Sequence, residues 1–241
     1  MNDLSYIENN EAILELNNLS KMYQNGLGIY NLNLSAKKGN IIGLLGPNGS
    51  GKTTLIKTIA GLLAPTAGEL KICGMSVSTK TKALVSYLPD KDYLNENMKI
   101  KDIVKFFSEF YSDFDAVRAE QMLNDLDIDT NLKLSVLSKG TREKVQLILV
   151  MSRNAKIYLL DEPIGGVDPA ARDYILDTII KNYNPDSIVI ISTHLISDIE
   201  KILDRVVFIK YGKIILDDEI DKIREENNKS IDALFREVFK C

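Results

Sequence analysis

Short apolar runs bounded by polar turns open this chain, give way to a long stretch of helical spacing, and then return. Ile13, Leu14 and Leu16 form one apolar patch, and Leu32, Leu34 and Ala36 alternate with polar residues, so residues 13–45 read as strands. The last of these, Ile41-Ile42-Gly43-Leu44-Leu45, is apolar on both faces, as a central parallel strand is. Leu55, Ile56, Ile59, Leu62 and Leu63 predict a helix from about Thr53 to Leu63, stopped by Pro65. Glu69–Ile72 and Val85–Leu88 read as short strands. From about Lys91 to Met151 the period is helical: Ile103, Val104, Phe106, Phe107, Phe110 and Tyr111 make one stripe, and Val117, Met122, Leu123 and Leu126 another. Strands resume at Ile157–Leu160, Ile188–Ile191 and Val206–Ile209, with a helix between the first two. Tyr211-Gly212-Lys213 reads as a hairpin turn into Ile214–Leu216, and Ser230 as the cap of a last helix bearing Ile231, Leu234, Phe235 and Val238 on one face. Such alternation predicts an α/β fold with a parallel sheet and right-handed crossovers, into which 91–151 is inserted as a helical unit.

Composition narrows the functional classes. With 241 residues, 45% apolar and 27% charged, the chain can bury a full core without staples. A net charge of −4 gives no electrostatic footprint for nucleic acid, so none is expected as a partner. The two cysteines, Cys73 and Cys241, make neither a disulfide framework nor a zinc site, and point to a reducing compartment. The start, Met1-Asn2-Asp3-Leu4-Ser5, lacks the pattern of a signal peptide. No run approaches the roughly 20 apolar residues of a membrane span, so any membrane role is expected to come through a partner.

Three clusters carry candidate chemistry. Gly46-Pro47-Asn48-Gly49-Ser50-Gly51-Lys52-Thr53, followed by Thr54, fits G-x-x-x-x-G-K-[ST] between a buried strand and a helix. Glycines let backbone N–H groups turn inward around a phosphate, and the helix adds free first-turn amides and its dipole. Lys52 supplies a mobile charge for the β- and γ-phosphates, and Thr53 a hydroxyl for magnesium. Downstream, Ile157–Leu160 ends in Asp161 and Glu162, whose side chains alternate along the strand. Asp161 is placed to hold the metal and Glu162 to polarise a water for in-line attack. His194 follows the strand Ile188–Ile191 at the edge where open α/β sheets bind ligands, and is assigned to the γ-phosphate.

The discriminating segment is Leu137-Ser138-Lys139-Gly140-Thr141-Arg142-Glu143-Lys144, which resembles the L-S-G-G-Q signature of ATP-binding-cassette (ABC) ATPases. Other landmarks follow that family's order. Tyr23 matches the aromatic that stacks on adenine, Pro89-Asp90 falls at the Q-loop, Gly165-Gly166-Val167-Asp168 resembles the D-loop, and His194 the switch histidine. The resemblance implies a P-loop NTPase with a RecA-like core, an antiparallel β-subdomain and an inserted helical subdomain. It implies one ABC ATPase domain over 1–241, with 13–90 and 152–220 as core plus β-subdomain, 91–151 as helical subdomain and 221–241 as a C-terminal helical tail. Two such domains would pair head to tail around two ATPs, each Lys52 loop facing the partner's Ser138 and Gly140, with Asp168 at the nucleotide. Lys139 and Thr141 depart from the signature, and Asp90 stands where the family has glutamine, which puts its contact with magnesium in doubt.

The form Leu-Ser-Lys-Gly, with Tyr-Leu-Pro-acidic at the Q-loop, is similar to short single-cassette bacitracin- and lantibiotic-type exporters, which work with separate ABC-2 membrane subunits. The implied protein is an ATP-hydrolysing subunit using ATP and Mg2+, held at the cytoplasmic face of the cell membrane by its partner. A soluble ABC ATPase in a non-transport complex is the alternative; a kinase or GTPase is a distant third, since no N-K-x-D for guanine is present. The aromatic stripe 106–111 is expected in the helical core, in part lining a groove for the membrane subunit. The acidic run 217–226 is expected as a solvated helical face, and the cysteines as incidental.

Overall fold

The computed structural model describes residues 12–227 and 229–239, so Met1–Ser5 and Cys241 lie outside the described residues. Strand β1 (Leu14–Met22) pairs antiparallel with β2 (Gly28–Ala36), burying Leu14, Leu16, Leu19, Ile29, Leu32 and Leu34. The chain then turns into β3 (Asn40–Leu45), where Ile41, Ile42, Leu44 and Leu45 are all buried, as a strand covered on both faces requires. A glycine-rich turn leads into α1 (Lys52–Ile59). Strands β4 (Ala67–Ile72) and β5 (Met75–Ser76) complete a four-stranded antiparallel sheet in the order β2-β1-β4-β5. Helix α2 (Thr79–Ala83) carries a capping box between Ser78 and Thr81 and delivers the chain to β6 (Val85–Leu88).

The insertion comprises α3 (Ile100–Phe110), α4 (Ala116–Asn124), a 3₁₀ turn at Leu134–Val136 and α5 (Lys139–Met151), closed around Ile103, Phe107, Leu123 and Ile148. Then follow β7 (Ile157–Asp161), α6 (Pro169–Asn182), β8 (Ile188–Thr193), α7 (Ile196–Ile199), β9 (Arg205–Lys210) and β10 (Lys213–Glu219), and lastly α8 (Ile220–Asn227) and α9 (Ile231–Phe239). The second sheet runs β10-β9-β3-β8-β7-β6, parallel throughout except for the β9–β10 hairpin. Because β3, β6, β7 and β8 run the same way, Leu45, Leu88, Asp161 and Thr193 all end at one edge, where ligands bind in such sheets.

Four expectations need correction. Helix α1 stops at Ile59, because Gly61 takes φ +69° as its left-handed C-terminal residue with Lys82 and Val77 packed close against it. Leu62 is therefore off the helix and 60% exposed. Helix does not begin at Lys91: 91–99 is irregular, and α3 starts at Ile100. Of the aromatic stripe, Phe107 is core, but Phe106 and Phe110 stack on each other at the surface, 52% and 68% exposed. The acidic run is not one helix: Asp217, Asp218 and Glu219 extend β10, held by the Arg205–Asp217 pair, and only then does α8 start.

Candidate functional site

Each site element follows from a strand end. After β3 the chain must turn sharply, and Gly46 is required there, since a Cβ would lie 2.4 Å from the carbonyl oxygen of Ile209 and 2.6 Å from the Ser50 hydroxyl. Gly51, at φ +113°, caps α1 and releases its first amides toward the loop's concave side. Lys52, 6% exposed, curls back to donate to the carbonyl of Gly46 at 2.7 Å, and its ammonium lies 3.6 Å from Glu162 Oε1. Burial pushes the Lys52 ammonium below the usual lysine range, with Glu162 and Asp161 pulling the other way. Residues 48–54 line a cleft of about 730 Å³ together with Tyr23, Asp90, Lys139, Glu162 and His194.

Asp161 is 1% exposed. Its Oδ1 accepts from Ser192 Oγ at 2.5 Å and from Thr53 Oγ1 at 3.2 Å, while Oδ2 is buried with no partner among the described residues. Burial pushes the Asp161 carboxyl up, and the two hydroxyls oppose that. Glu162 follows in the left-handed region at φ 52°, a conformation that costs energy in a residue with a Cβ. Its amide is held by the carbonyl and hydroxyl oxygens of Ser192 at 3.0 and 3.1 Å. The twist aims the carboxylate between two nitrogens: Oε1 toward Lys52, and Oε2 at 3.0 Å from His194 Nδ1. Ser192 thus fixes both acids. It sits in the Ser-Thr-His run at the end of β8, and its only sequence signal is a hydroxyl closing an apolar strand.

Ser138 and Gly140 do not face this cleft. Ser138 caps α5, which begins at Lys139 rather than near Thr141, and it is exposed, its Oγ 2.8 Å from Thr141 Oγ1. Asp168 caps α6 by accepting from the amide of Ala171 and likewise stays outside. Tyr23 stands at the cleft's mouth, 41% exposed, on the turn between β1 and β2. Asn25 and Leu27, from the same turn, and Gly28, the first residue of β2, complete that mouth and carried no sequence signal. Among the described residues no three His, Cys, Asp or Glu side chains converge as a metal cage. Cys73 is free and half-buried, its thiol pushed up by burial.

A strand, a glycine-rich loop with a buried lysine, a helix, and a neighbouring strand ending in an acid pair define a P-loop nucleoside triphosphatase. The comparisons give the family. The model of the ABC transporter family matches residues 29–165. The SkfA peptide export ATP-binding protein SkfE of Bacillus subtilis is 29% identical over 222 residues, 89% of this chain and 92% of that protein. An uncharacterized ABC transporter ATP-binding protein, MJ1023, of Methanocaldococcus jannaschii is 31% identical, over 87% of this chain and 79% of that one. A solved structure of the ATP-binding subunit of an ABC transporter superposes with a TM-score of 0.85 at 25% identity, covering 94% of this chain and 99% of that one. The chain belongs to the ABC transporter family as an ATP-binding, ATP-hydrolysing subunit. Among the described residues no helix is long and apolar enough to cross a membrane.

Proposed function

We propose that this subunit powers an exporter by closing on a second ABC subunit around ATP, beneath a separate membrane subunit. The observation that carries this is a divided site. Lys52, Thr53, Glu162 and His194 line one cleft, with Asp161 buried behind Thr53, while exposed Ser138 and half-buried Gly140 stand outside it at the start of α5, free to meet another copy. The whole chain then acts as one ABC ATPase domain. Residues 46–54 cradle the phosphates and Tyr23 stacks on the adenine. Thr53 and Asp161 would hold Mg2+: a hydroxyl and a carboxylate with one buried oxygen unpartnered suit a hard cation that takes its other ligands from phosphate and water. Magnesium there would neutralise charge between phosphates. Glu162 takes the proton of the attacking water, and His194 orients it.

The exporter direction rests on likeness to SkfE, whose name describes peptide export. A groove of about 820 Å³ lined by Leu62, Tyr87, Tyr93 and Phe110 supports docking of an ABC-2-type membrane subunit, which would hold the chain at the cytoplasmic face of the cell membrane. The test is oligomeric state. With ATP under non-hydrolysing conditions, light scattering should show a dimer, and Ser138→Arg should abolish it while each monomer still binds ATP. A Ser138→Arg chain that dimerises normally would remove the composite site.

Lys52 supplies a second check. Phosphate beside it restores the charged form that burial disfavours, so binding takes up a proton wherever the free lysine is partly neutral. ATP affinity should therefore fall as pH rises through the lowered Lys52 pKa, by at most about tenfold per pH unit. Calorimetry in buffers of different ionisation enthalpy should show proton uptake on binding that grows as pH rises into the range where the free lysine is partly neutral.

A further inference from the structure

Residues 22–27, the turn that presents Tyr23 at the cleft's mouth, are all exposed. Local bonds shape this turn: the Tyr23 amide donates to the Leu27 carbonyl at 2.8 Å, and the Gly26 amide to the Tyr23 carbonyl at 3.0 Å. Tyr30, half-buried on β2, connects it to the phosphate loop. The Tyr30 hydroxyl donates to the carbonyl of Gly26, and the Tyr30 amide donates to the carbonyl of Gly212 at 2.8 Å. Gly212, in the turn between β9 and β10, donates its own amide to the carbonyl of Ser50 at 2.8 Å, inside the phosphate loop. The contact leaves room for glycine alone. At φ +73°, a Cβ on Gly212 would lie 2.2 Å from the Gly28 carbonyl oxygen and 2.8 Å from the Tyr30 ring. A path of hydrogen bonds therefore runs from Ser50 through Gly212 and Tyr30 to Gly26, joining the loop to the turn. Ser50 and Tyr23, at its two ends, line the cleft, whereas Tyr30 is not among the lining residues.

We propose that Tyr30 is a positioning residue for the nucleotide: braced on Gly212, it holds the Tyr23 turn at a set distance from the phosphate loop, so the aromatic is in place for the base when the phosphates enter. An exposed turn without this brace would be ordered only on binding, and that ordering would come off the affinity. With the Tyr30 hydroxyl deleted, water can take its place on the exposed Gly26 carbonyl, so the free chain loses little while the binding step carries the ordering cost. This rests on the reading that the cleft takes ATP with Tyr23 against the adenine.

The test is a double-substitution cycle on the full chain, with binding of a non-hydrolysable ATP analogue and magnesium followed by calorimetry. Tyr30→Phe should weaken binding about threefold and Tyr23→Ala about tenfold, while in the Tyr23→Ala background Tyr30→Phe should cost less than about 1.5-fold. Inorganic tripolyphosphate engages the phosphate loop without a base, so its affinity should stay within about 1.5-fold in every variant. Phenylalanine keeps the ring against Gly212 and deletes only an exposed hydrogen bond, so folding is not at stake. Equal losses from Tyr30→Phe in both backgrounds, an equal loss for tripolyphosphate, or no loss from Tyr30→Phe beside a tenfold loss from Tyr23→Ala would each overturn the positioning role alone. Undiminished binding by Tyr23→Ala would overturn the adenine reading, and the role of Tyr30 with it. Failure of the unmodified chain to bind either ligand would overturn the nucleotide site itself.

Discussion

Glu162→Gln should lower steady ATP turnover by about 100-fold or more while leaving ATP binding intact, because in the proposed mechanism it removes the general base. The amide keeps the volume and one oxygen of the carboxylate but cannot take a proton from water. Its backbone at φ 52° is fixed by Ser192, so the side chain should still project between Lys52 and His194. Binding should hold or tighten, since the substitution deletes a negative charge 3.6 Å from the Lys52 ammonium, beside the expected position of the phosphates. His194→Ala, which removes only the group 3.0 Å from Oε2, should cost less, about tenfold. Phosphate release and equilibrium binding measured on the same preparations separate the two effects. Turnover within threefold of the unmodified chain would show that the base lies elsewhere. If the proposed dimer forms, the same substitution should also prolong its ATP-held state, visible by light scattering, because hydrolysis is the step proposed to reopen it.

Local rules were enough for much of this molecule. The segments Ile41–Leu45, Ile157–Leu160 and Ile188–Ile191 are apolar on both faces, and they became the three adjacent inner strands β3, β7 and β8. The turn at Tyr211-Gly212 takes φ 49° and 73°, the left-handed pair that a two-residue hairpin needs. What escaped depended on partners distant in the chain. Gly61 ends α1 although Leu62 and Leu63 keep the helical spacing, because a glycine at a left-handed position closes the helix against Lys82. Phe106 and Phe110 have the same period as Phe107, and apolar spacing does not distinguish the core from a face left open. Asp217 reads as helix surface until Arg205, on the neighbouring strand, holds it in β10 with a two-point pair. At the site the motifs located Lys52, Asp161, Glu162 and His194. Ser192, which ties Asp161 to Glu162, and Lys139, which reaches the Gly166 loop, became visible only once separate segments were folded together.

Arg153→Met should destabilise the fold strongly, costing about 3–5 kcal/mol. Arg153 lies between α5 and β7, 3% exposed, and its guanidinium joins three parts of the chain. It donates to the carbonyls of Ala83 at 2.5 Å and Val85 at 2.6 Å, pairs with both oxygens of Asp113 at 3.0 Å, and stacks 4.0 Å from the Tyr111 ring. Its own carbonyl accepts from Tyr158 Oη at 2.6 Å. Methionine would fill part of the volume but leave two carbonyls and a carboxylate without their donors, a larger loss than the pair's net worth. At about 2–4 °C per kcal/mol for a domain of this size, the melting temperature should drop by roughly 10 °C. Asp113→Asn should cost less, because Asp113 is partly solvated and the guanidinium keeps its carbonyl partners, and adding it to Arg153→Met should cost almost nothing further. A shift under 2 °C for Arg153→Met, or strict additivity of the two substitutions, would remove the clamp. Its position gives the result a wider meaning. Asp113 and Tyr111 follow α3, Ala83 ends α2 and Val85 begins the strand that leads to Asp90, and Tyr158 is on the strand that ends in Asp161. Through one guanidinium the helical insertion is tied to the two strands that carry the site's acids, so loosening that tie should disorder the relation between Ser138 and Glu162 before either residue is touched.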